Sequence, residues 1–197
     1  MTARSEPEIF ETFKGEHQAD GLRFREWWRR YWFDHIDDYF ERKWYLFPCG
    51  RYSKRPLAGW KWGERSLGYE EAVWHAALGE NLAVVAGFSG VIAIDMDSEA
   101  VKPFDTDTLT MQTPRGYQYW ASPPYDDRLG EKLRRAGFDN PRAGNMYSLV
   151  PLSRTFPCHQ EGKENGCLVH QRPKIREWVN FGAECKPFRK VAKELVG

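Results

Sequence analysis

No apolar run in this chain approaches the roughly 18 residues that a membrane-crossing helix needs, and the opening MTARSEPEIFETFKGE is acidic, without the apolar stretch of a secretion signal. No membrane partner and a cytoplasmic location are therefore expected. Excess charge of one sign is missing too: 29 Lys and Arg stand against 28 Asp and Glu, a net charge of +1. The whole molecule thus has no basic field for gripping nucleic acid, and any polyanion site must be local. Cysteine is sparse, at Cys49, Cys158, Cys167 and Cys185; without a secretion signal these read as free thiols or metal ligands. There is no Gly-x-Ser-x-Gly elbow, no His-Glu-x-x-His helix and no Gly-x-x-x-x-Gly-Lys-Ser/Thr phosphate loop. Nucleophilic hydrolase chemistry and a helicase motor within this chain lose their support accordingly.

What is present suits a globular protein. Of the 197 residues 41% are hydrophobic and 15% aromatic, enough for a core and unlike a disordered composition. Residues 1–20 are polar and without period, and read as a flexible lead-in. A main domain is expected over 21–185, and a basic helix over 186–197 after Pro187. From Phe24 the apolar positions Trp27, Trp28, Tyr31, Trp32, Ile36, Tyr39 and Phe40 recur every three or four residues, which predicts one helix ending near Lys43 with this stripe in the core. Trp44–Phe47 reads as a strand. The loop RYSKRPLAGWKWGER sets Arg51, Lys54, Arg55, Lys61 and Arg65 against Glu64, with Trp60 and Trp62 interleaved. It reads equally as a phosphate and base contact surface or as a solvated loop anchored by tryptophans.

Further helices are expected over Tyr69–Leu78 and Asp126–Ala136. Two β-rich runs, Leu82–Ala86 and Val91–Asp95, flank Gly87-Phe88-Ser89-Gly90 and predict an antiparallel hairpin. A second hairpin is expected from Leu109–Gln112 and Tyr117–Ala121 about the turn Thr113–Gly116, and a last strand at Met146–Val150.

The sharpest chemical feature is Ile92-Ala93-Ile94-Asp95-Met96-Asp97. Side chains at i and i+2 of a strand share a face, so Asp95 and Asp97 project together while Ile94 and Met96 face away. A divalent cation relieves their repulsion, and hard carboxylate donors suit Mg²⁺ or Mn²⁺; the plain alternative is a polar strand end. Cys158, His159, Cys167 and His170, within CHQEGKENGCLVH, would either close a tetrahedral Zn²⁺ site or sit in an ordinary polar loop.

The order of segments resembles the primase-polymerase domains of the archaeo-eukaryotic primase superfamily, found in plasmid and viral replication proteins. Tyr39 followed by WYLFPCGRYSKRPLAGW is similar to that family's opening, ENLAVVAGFSGVIAIDMD to its first motif and TPRGYQYW to its second. NMYSLVPLSRT is similar to the strand and Pro-x-Ser after its third motif, and REWVNF to its closing aromatic segment. The resemblance covers about residues 36–181. It implies an α/β (α+β) fold with an RRM-like antiparallel sheet and an N-terminal helix-containing unit, and template-directed nucleotidyl transfer by a DNA primase/polymerase. It also implies a single-stranded DNA template, dNTP or NTP substrates, Mg²⁺ or Mn²⁺ on Asp95 and Asp97, and a helicase domain or protein as partner; zinc-bearing relatives bear on the Cys/His loop.

Two departures stand out. Where the family usually has a histidine on the incoming phosphates, this chain has Gln118, which can donate a hydrogen bond but carries no charge. At the third motif Asn140 takes the offset of a metal-binding Asp, with Asp139 one place earlier. Strand alternation would turn Asp139 to the wrong face unless Pro141 distorts the segment, so either Asp139 is the third ligand or catalysis is impaired. Lys54, Arg115, Gln118, Ser153 and Arg154 are the expected nucleotide contacts. Besides the enzyme, two other readings stand: a catalytically weakened nucleotide- or DNA-binding replication module of the same fold, and a metal-dependent nuclease.

Overall fold

The computed structural model describes residues 33–97, 104, 106–155 and 174–197. The lead-in at 1–20, the start of the first expected helix and the Cys158, His159, Cys167 and His170 loop lie outside the described residues. Helix α1 (Asp34–Glu41) buries Ile36 and Tyr39, two members of the aromatic stripe. It stops where Lys43 takes a left-handed φ of 57°, and the chain then enters strand β1 (Leu46–Cys49). That strand runs through Pro48, expected to bound it. Proline is tolerated because β1 is an edge of its sheet, where a missing N–H breaks no ladder.

Helix α2 (Tyr69–Ala77) follows as expected, then β2 (Asn81–Val85) and β3 (Ile92–Met96). The expected hairpin between these two strands does not form. β2 is fully buried and pairs on one side with β1 and on the other with β6 (Tyr147–Leu149), all antiparallel. With both edges of β2 taken, the Gly87–Gly90 turn carries the chain out of this three-stranded sheet and into a second one.

In the second sheet β5 (Gly116–Ser122) is central. It pairs antiparallel with β3 and with β4 (Thr110–Thr113), and parallel with the short β10 (Lys186–Pro187). The β4–β5 pair is the expected hairpin. β4 also pairs with β9 (Glu177–Trp178), and β7 (Arg154–Thr155) forms a small ribbon with β8 (Lys174–Ile175). Helix α3 (Asp127–Arg135) is capped by Asp126, whose carboxylate accepts from the amides of Arg128 and Leu129. Helix α4 (Phe188–Val196) closes the chain. The fold is a mixed α+β one with antiparallel sheets.

Strand alternation divides the core. Ala93, Met111 and Trp120 join Leu82, Val84, α1 and α2 in a cluster that spans both sheets. Within it Trp120 stacks on Trp44 at 5.0 Å and Trp44 on Tyr39 at 5.6 Å. Ile92, Ile94, Tyr119 and Ala121 face the other way, onto α3 and α4. The C-terminal helix, expected as a separate basic unit, thus contributes Phe188, Val191, Ala192 and Leu195 to the core. It covers the face of the second sheet opposite to the one that carries Ala93 and Asp95.

Candidate active site

Asp95 and Asp97 continue the face of β3 begun by Ala93, where the apolar cluster between the sheets gives way to polar side chains. Register places Gln118 of β5 beside Asp95. Asp95 is 6% exposed, and both its oxygens are engaged: Gln118 Nε2 donates to Oδ1, and the Arg142 guanidinium lies 2.7 Å from Oδ2. Arg115, in the β4–β5 turn, pairs with Asp97 through Oδ2. Burial holds the Asp97 carboxyl above the ordinary carboxylate range; Asp95 and Asp139 push the same way, while Arg115 and Lys54 oppose them. Three carboxylates and two cations therefore share one field.

Asp139 reaches this site through a local slip in pairing. Ala93 and Arg142 exchange both backbone hydrogen bonds, N–H of Arg142 to Ala93 O at 2.7 Å and N–H of Ala93 to Arg142 O at 3.1 Å. Regular antiparallel pairing would then set Asn140 opposite Asp95. Instead the amide of Asp139 donates to Asp95 O at 2.9 Å, an offset of one residue across Asn140-Pro141. The slip brings Asp139, rather than Asn140, to the amide position facing Asp95.

Gln118 is 1% exposed. While its Nε2 holds Asp95, its Oε1 accepts from Ser148 Oγ at 2.9 Å, which ties the two sheets together. Its amide is spent inside the protein, in contrast to the phosphate contact expected of it. Ser153 is likewise 1% exposed, its Oγ accepting from the Leu82 amide and donating to the Leu82 carbonyl. It pins the chain after β6 to β2. The Arg154 backbone is clamped by Asn81, through N–H to Oδ1 at 2.8 Å and O to Nδ2 at 2.9 Å. Lys54, half-buried, acts on Asp97 by its charge.

Arg142 and Arg176 were not among the expected site residues. Arg142 also donates Nη1 to the Tyr147 carbonyl at 3.1 Å, bracing β6 against the carboxylates. Arg176 is 6% exposed and its Nε has no acceptor among the described residues. Burial pulls its pKa down to about 10, against the attraction of Asp95 and Asp97 and with the repulsion of Arg142 and Arg115. Nothing in its local sequence marks it, because it enters the site only when the chain returns to pair its backbone with Leu152 and Ser153. Arg142, by contrast, lies two residues after Asn140, beside the carboxylate position that the sequence does mark.

The donors are all carboxylate oxygens, which suits a hard divalent cation in kind. As the side chains stand, no three metal-ligating groups converge to hold an ion among the described residues. Guanidiniums occupy the oxygens that an ion would take. The carboxylates suit such an ion in kind only, and Arg115 and Arg142 stand against Asp97 and Asp95 where it would compete with them.

No curated protein matches the chain. Residues 36–177, most of its length, match the Prim-Pol family, described as bifunctional DNA primase/polymerase, N-terminal. That match spans α1 through β9, and so takes in every carboxylate and arginine of the site. The chain belongs to the Prim-Pol family of bifunctional DNA primase/polymerase N-terminal domains.

Proposed function

We propose that this domain joins nucleotides on a single-stranded DNA template, in plasmid or viral replication, beside a helicase domain or protein. The reaction forms a bond between a strand's 3′-oxygen and the α-phosphorus of a dNTP or NTP, and releases pyrophosphate. The observation that carries this reading is the meeting of Asp95, Asp97 and Asp139 with Arg115 and Lys54 at one sheet end. The three acids would hold Mg²⁺ or Mn²⁺. Such ions, when bound, lower the pKa of an attacking hydroxyl and neutralise charge on the phosphates.

The chain's own groups do the rest. Arg115 and Lys54 would orient the triphosphate, and guanidinium prefers a bidentate hold on phosphate. Gln118 would hold the rotamer of Asp95 while Arg142 gives up its pairing with that carboxylate to the ion, and the buried Arg176 adds positive charge to the field of Asp95 and Asp97. A binding module without catalysis is favoured by one feature, the engagement of both Asp95 oxygens by Gln118 and Arg142.

A primer-synthesis and extension assay with Mg²⁺ or Mn²⁺ separates the readings. The proposal expects metal-dependent product from the wild type that Asp95→Ala plus Asp97→Ala abolishes. No product under any template or metal supports the binding module, and shortening of the labelled strand supports a nuclease.

A further inference from the structure

The outer face of the first sheet carries a contiguous exposed apolar patch that the carboxylate site does not use. Trp62 is 37% exposed and Phe88 52%. Trp62 lies 5.4 Å from the Tyr147 ring and 6.3 Å from Phe47, centroid to centroid, and Phe88 lies 5.0 Å from Tyr45. The Phe88 ring also abuts Gly63, 3.6 Å from where a Cβ there would stand, so the Trp62 loop and the Phe88 turn touch. Single exposed rings are ordinary on a protein surface; several meeting in one place are a contact surface.

Two neighbours indicate the occupant. The loop that delivers Trp62 carries Arg51, Lys54, Arg55, Lys61 and Arg65; Lys61 pairs with Glu64 at 3.3 Å and Arg65 with Glu71 at 2.7 Å, which still leaves a local basic excess in a molecule of net charge +1. The patch also adjoins the carboxylates: Tyr147 Oη donates to the Lys54 carbonyl at 3.0 Å, and the Tyr147 carbonyl accepts from Arg142. Exposed rings beside cations suit unpaired bases, whose faces are free to stack and whose phosphates need neutralising, whereas a duplex offers no free base face along its length.

We propose that Trp62 and Phe88 form a stacking platform that holds the single-stranded DNA template next to Asp95 and Asp97. The idea rests on the strand-extension reading for its choice of strand, but its test is a binding measurement independent of catalysis.

Anisotropy of a fluorescein-labelled single-stranded oligonucleotide of mixed sequence, titrated with the full chain, reads the affinity. Trp62→Ala and Phe88→Ala should each weaken it by roughly 5- to 100-fold with an unchanged salt slope. Trp62→Phe should restore most of the loss. Arg55→Ala should instead make the salt dependence shallower, and Val179→Ala, at an exposed position on the strand β9 side, should change nothing. Circular dichroism checks that each variant is folded. Unchanged affinity in both alanine variants, or equal competition by duplex DNA, overturns the platform while leaving extension activity to stand. Loss of self-association in Trp62→Ala, seen by sedimentation, overturns it in favour of a second copy. A wild type that extends no primer yet binds single strands through these rings keeps the platform and removes the enzyme reading.

Discussion

At the scale of single residues, Asp97 and Arg115 form the ion pair on which the proposed chemistry would turn. Their contact neutralises a carboxylate that burial, Asp95 and Asp139 all disfavour in its charged form. If a divalent ion must displace this guanidinium, Arg115→Met should tighten Mn²⁺ binding in the absence of nucleotide by roughly tenfold, about 1.4 kcal/mol. Titration of the free Mn²⁺ paramagnetic signal reads this directly; an unchanged or weaker affinity means the pair does not compete with the ion. His35 gives a second residue-scale test, away from the site. It stacks on Phe181 at 4.8 Å, and burial lowers its pKa from 6.5 to about 4. Between those values the unfolded chain binds a proton that the folded one refuses, so stability rises with pH through this window and is complete above the unfolded value. The effect is at most about 3 kcal/mol, and His35→Leu should flatten the dependence of the urea midpoint on pH between roughly 4 and 6.5. Gln118 shows what single residues hide. Its polarity and place in the second motif suggest a phosphate contact, yet its alternation with Trp120 on β5 already sets it on the face that meets the other sheet. The period was readable; the partner Ser148 across the gap was not.

Among elements, the decisive feature is the turn between β2 and β3, which hands the chain from one sheet to the other. Tight loops between β-rich runs favour hairpins, but whether two strands pair depends on which other strands compete for their edges. β1 and β6 lie far from β2 in sequence, so no local signal reports them. The β4–β5 hairpin, α2, α3 with its Asp126 cap and α4 were readable because their signals are local: period, capping carboxylate and a glycine or proline at the end. The β2–β3 turn also presses on the loop that carries Arg142. A Cβ at Gly87 would stand 2.6 Å from the Gly144 carbonyl oxygen and 2.8 Å from its Cα, backbone atoms that cannot swing aside. Gly87→Ala should therefore cost about 1–3 kcal/mol in urea unfolding. It should also lower extension activity, since Gly87 and Gly144 are hydrogen-bonded neighbours of the site's third motif. A loss below about 0.5 kcal/mol would show that the loop yields freely.

At the scale of the molecule, two sheets back onto one aromatic cluster and place their polar ends together, so the site is a product of tertiary pairing. The Asp pair and its shared face could be read from β3 alone. The slip that brings Asp139 forward was left open by the sequence, because an Asn-Pro step can either break a strand or shift its register. Arg176 was beyond reach for the reason already given: its burial depends on where distant segments return. The basic C-terminal helix packs on the opposite face of the second sheet, and its Lys190 is engaged with Asp107 and Glu194. Among the described residues no helix is long and apolar enough to cross a membrane.

Whether Asp95, Asp97 and Asp139 hold cations for nucleotidyl transfer is read from a crystal soaked with Mn²⁺ and a non-hydrolysable nucleotide. Anomalous manganese density is expected on these carboxylates, with Arg115 and Arg142 turned from them toward the phosphates. Density absent there, with both guanidiniums still paired to Asp97 and Asp95 as they are now, would contradict it.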